Sequence, residues 1–125
     1  MNASKQILIV DDEADIREIL GEMILKDFPN VKITHAIDGL DAFLKIQDTK
    51  FDLICLDHMM PHFRGADFLI ALREKENLNR TTSVIMVSAY IPEIPNSVKS
   101  LDNTLFMEKP IDFTRLIRNV KMYLL

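Results

Sequence analysis

Asp52-Leu53-Ile54-Cys55-Leu56, closed by Asp57, is the stretch that decides the fold. An apolar run of this length, flanked by acids, reads as a strand buried on both faces. Such strands belong to parallel sheets covered by helices. In an open sheet of that kind, the residue at a strand's carboxyl end stands at the rim of a crevice where ligands bind. Asp57 is therefore the first candidate for chemistry. Cys55 is the sole cysteine of the chain; it lies in the apolar run Phe51–Leu56, reads as a buried structural residue and excludes an internal disulfide.

The same pattern recurs on both sides. Ile7-Leu8-Ile9-Val10 ends abruptly at Asp11-Asp12-Glu13, Ser83–Val87 ends at Ser88, and Leu105-Phe106-Met107 is followed by Lys109-Pro110. Val31-Lys32-Ile33-Thr34 alternates apolar with polar, as a more exposed edge strand does. Between these strands lie helical spacings. Ile16, Ile19, Leu20, Met23 and Ile24 form one apolar face, and Leu40, Phe43 and Leu44 are expected to face the sheet from a second helix after Asp38-Gly39. Phe68, Leu69 and Leu72 serve a third helix opened by Gly65, with Arg73–Glu76 and Asn77–Asn79 expected as its solvated end and turn. Gly39 and Gly65 read as residues that relieve backbone crowding at turns or helix starts. Phe113, Leu116, Ile117, Val120 and Leu124 mark the last helix, capped by Asp112.

Tyr90–Asn103 is the least regular segment. Pro92 and Pro95 stand where a helix should begin, and only Val98 and Leu101 offer helical spacing, so one short helix is expected from Pro95 or Asn96. The fold class is α/β: a doubly wound, five-stranded parallel sheet with right-handed crossovers and an irregular or shortened fourth helix.

The 125 residues suit a single domain spanning 1–125. A net charge of −4 offers no general attraction for nucleic acid. No run approaches the roughly 20 apolar residues that cross a bilayer, which points to a cytoplasmic protein without membrane insertion. Proteins or small molecules are the expected partners.

A parallel sheet gathers its strand ends. Asp11, Asp12, Asp57, Ser88 and Lys109 should therefore share one crevice. Three carboxylates there call for a compensating hard cation such as Mg²⁺, with Lys109 balancing part of the remaining charge. This set suits phosphoryl transfer, with Asp57 as nucleophile and Lys109, the Ser88 hydroxyl and backbone N–H groups holding the phosphoryl oxygens. His58 and His62 have no further cluster at metal-ligand spacing, and His35 reads as structural.

With these residues in view, the chain resembles the response-regulator receiver domains of two-component signalling, in their stand-alone form. The resemblance runs from Ile7 to about Val120. It is carried by Val10-Asp11-Asp12-Glu13, Ala36–Ala42, Asp57-His58-Met59-Met60-Pro61 with Gly65, Val87-Ser88-Ala89 and Lys109-Pro110. It implies the flavodoxin-like strand order 2-1-3-4-5. It also implies that Asp57 accepts a phosphoryl group from a histidine kinase or a histidine phosphotransfer protein, with Mg²⁺, or Mn²⁺ in its place, as cofactor. Asp12 would bind the metal directly, Asp11 mostly through water, and the Met59 carbonyl would complete the protein ligands. Ser88 and Phe106 match the family's switch pair, Lys109 its phosphoryl-contacting lysine, and Lys109–Pro110 a bond often cis in the family. His58, Met59, Ala89 and Tyr90 are expected at the pocket entrance.

This reading makes the protein a phosphorelay component rather than a substrate-turnover enzyme, with a downstream protein effector, onward relay or phosphate drainage as its uses. Two other classes are weighed against it: a constitutive interaction module on a degenerate receiver fold, and a Mg²⁺-dependent phosphatase with an aspartyl intermediate. The complete Asp/Asp/Asp/Ser/Lys set opposes the first. Met59, where such a phosphatase needs a second acid, opposes the other.

Overall fold

In a computed structural model the described residues are 4–125, apart from Pro61, His62, Ile91, residues 100–102 and the side chain of Lys99. The expectations for Met1–Ala3, Pro61, His62, Ile91 and Leu101 thus lie outside the described residues. Strands and helices alternate throughout: β1 (Gln6–Val10), α1 (Ala14–Asp27), β2 (Lys32–Ala36), α2 (Gly39–Asp48), β3 (Leu53–Asp57), α3 (Gly65–Glu74), β4 (Ser83–Ser88), α4 (Asn96–Lys99), β5 (Thr104–Glu108) and α5 (Phe113–Leu124).

All five strands are parallel, in the order β2-β1-β3-β4-β5. The apolar runs occupy the centre because only there are both faces covered. One core joins Leu8, Val10, Ile54, Leu56, Val84 and Met86 to α2, α3 and α4. The other joins Ile7, Ile9, Leu53, Cys55, Ile85 and Val87 to α1 and α5. Cys55 is 3% exposed, and burial pushes its thiol up to about 12, which keeps it an inert packing group. The fourth helix starts at Asn96 and has four residues, of which Val98 is buried. Asp112 caps α5 as expected, its carboxylate accepting the Arg115 N–H at 3.1 Å.

Three local expectations are corrected. Ile19 is 42% exposed, because α1 turns Leu20, Gly21 and Ile24 inward instead. Leu40 and Leu44 are 64% and 61% exposed; α2 meets the sheet through the small residues Gly39 and Ala42 together with Ile46. The end of α3 is solvated at Glu74, Lys75 and Glu76 as expected, but Arg73 and Asn79 are buried, at 5% and 0% exposed.

These two buried polar residues tie the amino-terminal edge of the sheet together. Arg73 donates to the carbonyls of Arg80, Thr82 and Asn103 and to the Thr104 hydroxyl, at 2.7 to 3.2 Å. The Asn79 amide donates to the carbonyls of Ile46 and Thr49 and accepts the Phe51 N–H. It thereby fixes the loop that leads into β3. Asn79→Ala would leave three buried backbone groups without this partner, so a loss of about 2–4 kcal/mol in urea unfolding is expected.

Candidate phosphoryl-acceptor site

Backbone hydrogen bonds at the carboxyl edge of the sheet set the site. The Asp11 N–H extends the β1 ladder to the Ala36 carbonyl. Asp57, the last residue of β3, is in register with Val87, and the His58 N–H reaches the Val87 carbonyl. Ser88 is in register with Glu108, and the Lys109 N–H donates to the Ser88 carbonyl at 2.7 Å. Residues far apart in sequence are thus held at one rim by the ladder itself.

The side chains converge there. Carboxylate oxygens of Asp11, Asp12 and Asp57 lie within 4.8 Å of one another. Lys109 Nζ sits 3.1 Å from Asp57 Oδ1, joining an exposed ammonium stem to a buried carboxylate. Asp11 Oδ1 accepts the Glu13 N–H at 2.9 Å. Burial, the largest influence, raises the Asp11 carboxyl to about 6; the Glu13 N–H opposes that shift, and the charges of Asp57 and Asp12 add to it while Lys109 subtracts.

These residues fit a hard divalent cation. Three carboxylates meet with oxygens within 4.8 Å of one another, a gathering of hard donors of the kind that takes up Mg²⁺. Burial first, and the neighbouring acids after it, disfavour the charged Asp11 carboxylate, a cost that a bound cation would offset. The sign of the pH effect follows. Below about 6 a proton occupies Asp11 and competes with metal, so Mg²⁺ affinity is expected to fall toward ten-fold per pH unit below that point and to level off above it. A Mg²⁺ titration followed by amide NMR at several pH values checks this.

The other expected site residues stand on β4, on β5 and in the loops that follow β3 and β4. Ser88 is 3% exposed, and its hydroxyl accepts the Tyr90 N–H at 3.3 Å. Met59, 52% exposed, donates its N–H weakly to Asp57 Oδ1 at 3.4 Å. Ala89 and Tyr90 are also exposed. His58, expected at the pocket entrance, is instead buried: its Nδ1 accepts the Ala66 N–H at 3.1 Å, and its ring meets Tyr90 edge-on at 5.7 Å. Burial of the ring lowers its pKa. Phe106 is half-buried against the α2–α3–α4 core. The Lys109–Pro110 bond is cis.

Gly65 completes the loop after Asp57. A Cβ there would stand 2.5 Å from the Asp57 carbonyl oxygen and 2.7 Å from His58 Cα, so no side chain fits without moving backbone. Gly65→Ala is expected to cost about 1–3 kcal/mol in denaturant unfolding and to shift the amide signals of Asp57 and His58. Phe63 was not singled out by any sequence pattern. Its ring and carbonyl fill the space beside Gly39, whose Cβ would lie 2.8 Å from the Phe63 carbonyl oxygen.

Known proteins match this arrangement. The chain is 30% identical to the uncharacterized transcriptional regulatory protein YcbL of Bacillus subtilis, over 91% of this chain and 48% of that protein. It is 32% identical to the transcriptional regulatory protein CpxR of Escherichia coli, over 95% of this chain and 49% of that protein. The chain thus spans about half the length of these curated relatives. Among solved structures it is similar to the response regulator TrrA of Thermotoga maritima in complex with Mg²⁺ and BeF, at 28% identity and a TM-score of 0.77, covering 95% of this chain and 98% of that one. It is also similar to the chemotaxis protein CheY4 of Vibrio cholerae, at 27% identity and a TM-score of 0.77, covering 97% and 99%. Residues 7–121 match the response regulator receiver domain family. With its fold, its acidic cluster and most of its length in agreement, the chain belongs to the family of response regulator receiver domains.

Proposed function

We propose that the protein accepts a phosphoryl group on Asp57 from a phosphohistidine of a histidine kinase or a histidine phosphotransfer protein, with Mg²⁺ as cofactor. The observation that carries this reading is the Asp11–Asp12–Asp57 cluster with Lys109 Nζ 3.1 Å from Asp57. An Asp57 oxygen attacks phosphorus, an O–P bond forms, the P–N bond to the donor imidazole breaks, and its electron pair stays on that nitrogen. Asp57 suits this role because its carboxylate ends a rigid central strand and is aimed at the rim.

Lys109 binds a phosphoryl oxygen as charge develops there, exchanging part of its contact with Asp57 for the product. Ser88 donates its hydroxyl to a second oxygen. Asp12, Asp57 and Asp11, with the Met59 carbonyl, would hold Mg²⁺, which would offset the charge of the incoming group and of the acids. The outcome is an acyl phosphate on the protein, so the chain acts as a phosphoryl acceptor and not as a turnover enzyme. Ser88 and Phe106 then shift the population of conformers presented to a protein effector. Among the described residues no helix is long and apolar enough to cross a membrane; a cytoplasmic setting beside the kinase is part of this proposal, as is a single receiver domain over 1–125.

The test is intact-protein mass after incubation with Mg²⁺ and acetyl phosphate. One added phosphoryl group is expected on the wild-type chain and none on Asp57→Ala. Equal labelling of both would overturn the assignment.

A further inference from the structure

The exposed apolar face of α2 is the largest departure of the structure from the helical pattern in the sequence. Leu40 and Leu44, one turn apart, are turned away from the sheet. Beside Leu40 a groove of about 390 Å³ runs between α2 and α3, floored by Phe43, Phe63, Ile70 and Ala71. Phe63 is seated on the backbone at Gly39, and Phe43 carries the Lys75 ammonium 5.7 Å from its ring centroid. An apolar groove between two packed helices suits a third helix laid along it.

The rim supplies the sign of the partner. Asp67 and Glu74 both line the groove from α3, both are exposed, and neither pairs with a described cation. Seven residues apart, they stand about 10 Å apart along the same side of α3. A helix in the groove with Lys or Arg at the same seven-residue spacing meets both carboxylates while its apolar stripe covers Leu40 and Phe63. Lys75 is held over Phe43 at one end and leaves the acidic pair free to act.

We propose that the α2–α3 groove is a docking site for an amphipathic helix of a partner protein, apolar on one side and flanked by basic residues. Phe63, in the loop between Asp57 and α3, forms part of its floor. The site is therefore built partly from the segment that follows the phosphoryl acceptor. The docking itself does not depend on the chemistry proposed for Asp57.

The test uses the full chain, ¹⁵N-labelled, and a synthetic amphipathic helix of about four turns with Leu at i, i+3, i+4 and i+7 and Lys flanking that stripe. Saturable amide shifts confined to α2, α3 and Phe63 are expected. Leu40→Glu, at an exposed position, should weaken binding about ten-fold or more, and Met122→Glu, on exposed α5, should leave it unchanged. Asp67→Lys with Glu74→Lys should weaken the Lys-flanked peptide about ten-fold and favour its Glu-flanked counterpart. Absence of saturable shifts, shifts mapping to α1 and α5, or equal affinity for both peptides would overturn the proposal. So would a concentration-dependent dimer abolished by Leu40→Glu, since the occupant would then be a second copy. Because every arm is read on unphosphorylated protein, failure here and failure of Asp57 labelling are separate results.

Discussion

Arg73→Ala is expected to remove about 3–5 kcal/mol of folding stability, a large share of the roughly 5–15 kcal/mol that a domain holds. The residue is 5% exposed and its guanidinium donates to three carbonyls and one hydroxyl. Burial lowers its pKa to about 10, so it remains charged at neutral pH. Truncation leaves those acceptors buried without their donor and opens a cavity where the side chain lay. Because Arg73 joins the end of α3 to the starts of β4 and β5, the loss falls on global unfolding and not on a fraying end. Urea unfolding of Arg73→Ala and Arg73→Met checks the claim. Methionine restores most of the volume and none of the hydrogen bonds, so it should recover only a minor part. A Met variant as stable as the parent would show that the hydrogen bonds contribute nothing.

Lys109→Ala is expected to slow labelling of Asp57 by acetyl phosphate about 100-fold, comparable to removing one preorganised donor from a charge-developing centre. The 3.1 Å contact sets the ammonium beside the carboxylate on which the proposed phosphoryl group would form. Lys109→Arg keeps the charge but not the compact point geometry, and should recover part of the rate. Stability supplies an independent check. Lys109→Ala leaves three acids with less opposing charge and should destabilise the metal-free fold, by no more than about 1 kcal/mol because the lysine is partly solvated. Asp57→Asn removes one of the repelling charges and should act in the opposite direction. Unchanged labelling in Lys109→Ala would remove the residue from the chemistry.

Much of this was legible in the sequence because burial on both faces leaves a simple signature. Apolar runs ending at Asp11, Asp57 and Ser88 could be little else than central strands, and a parallel sheet brings such ends together. The short fourth helix was legible for the opposite reason: Pro92 and Pro95 deny it a normal start. Helix orientation was less legible. Residues 39–48 contain more apolar residues than one face can bury, and packing chose small Gly39 and Ala42 over larger Leu40 and Leu44. Arg73 and Asn79 were read as solvated because charge and amide normally are. The acceptors that satisfy Arg73 lie 7 to 31 residues away, beyond any local pattern. His58 likewise looked like a rim residue until the Ala66 N–H gave its ring a buried partner.

The central claim is that the charge cluster exists to place one phosphoryl group on one carboxylate. Its most direct test is to label the protein with acetyl phosphate and Mg²⁺, reduce it with borohydride, which converts an acyl phosphate to the alcohol, and map the altered residue by peptide mass. A single homoserine at position 57, absent when Mg²⁺ is chelated, is the predicted result. Reduction at another acid with Asp57 intact, or none despite a labelled protein, would contradict the account.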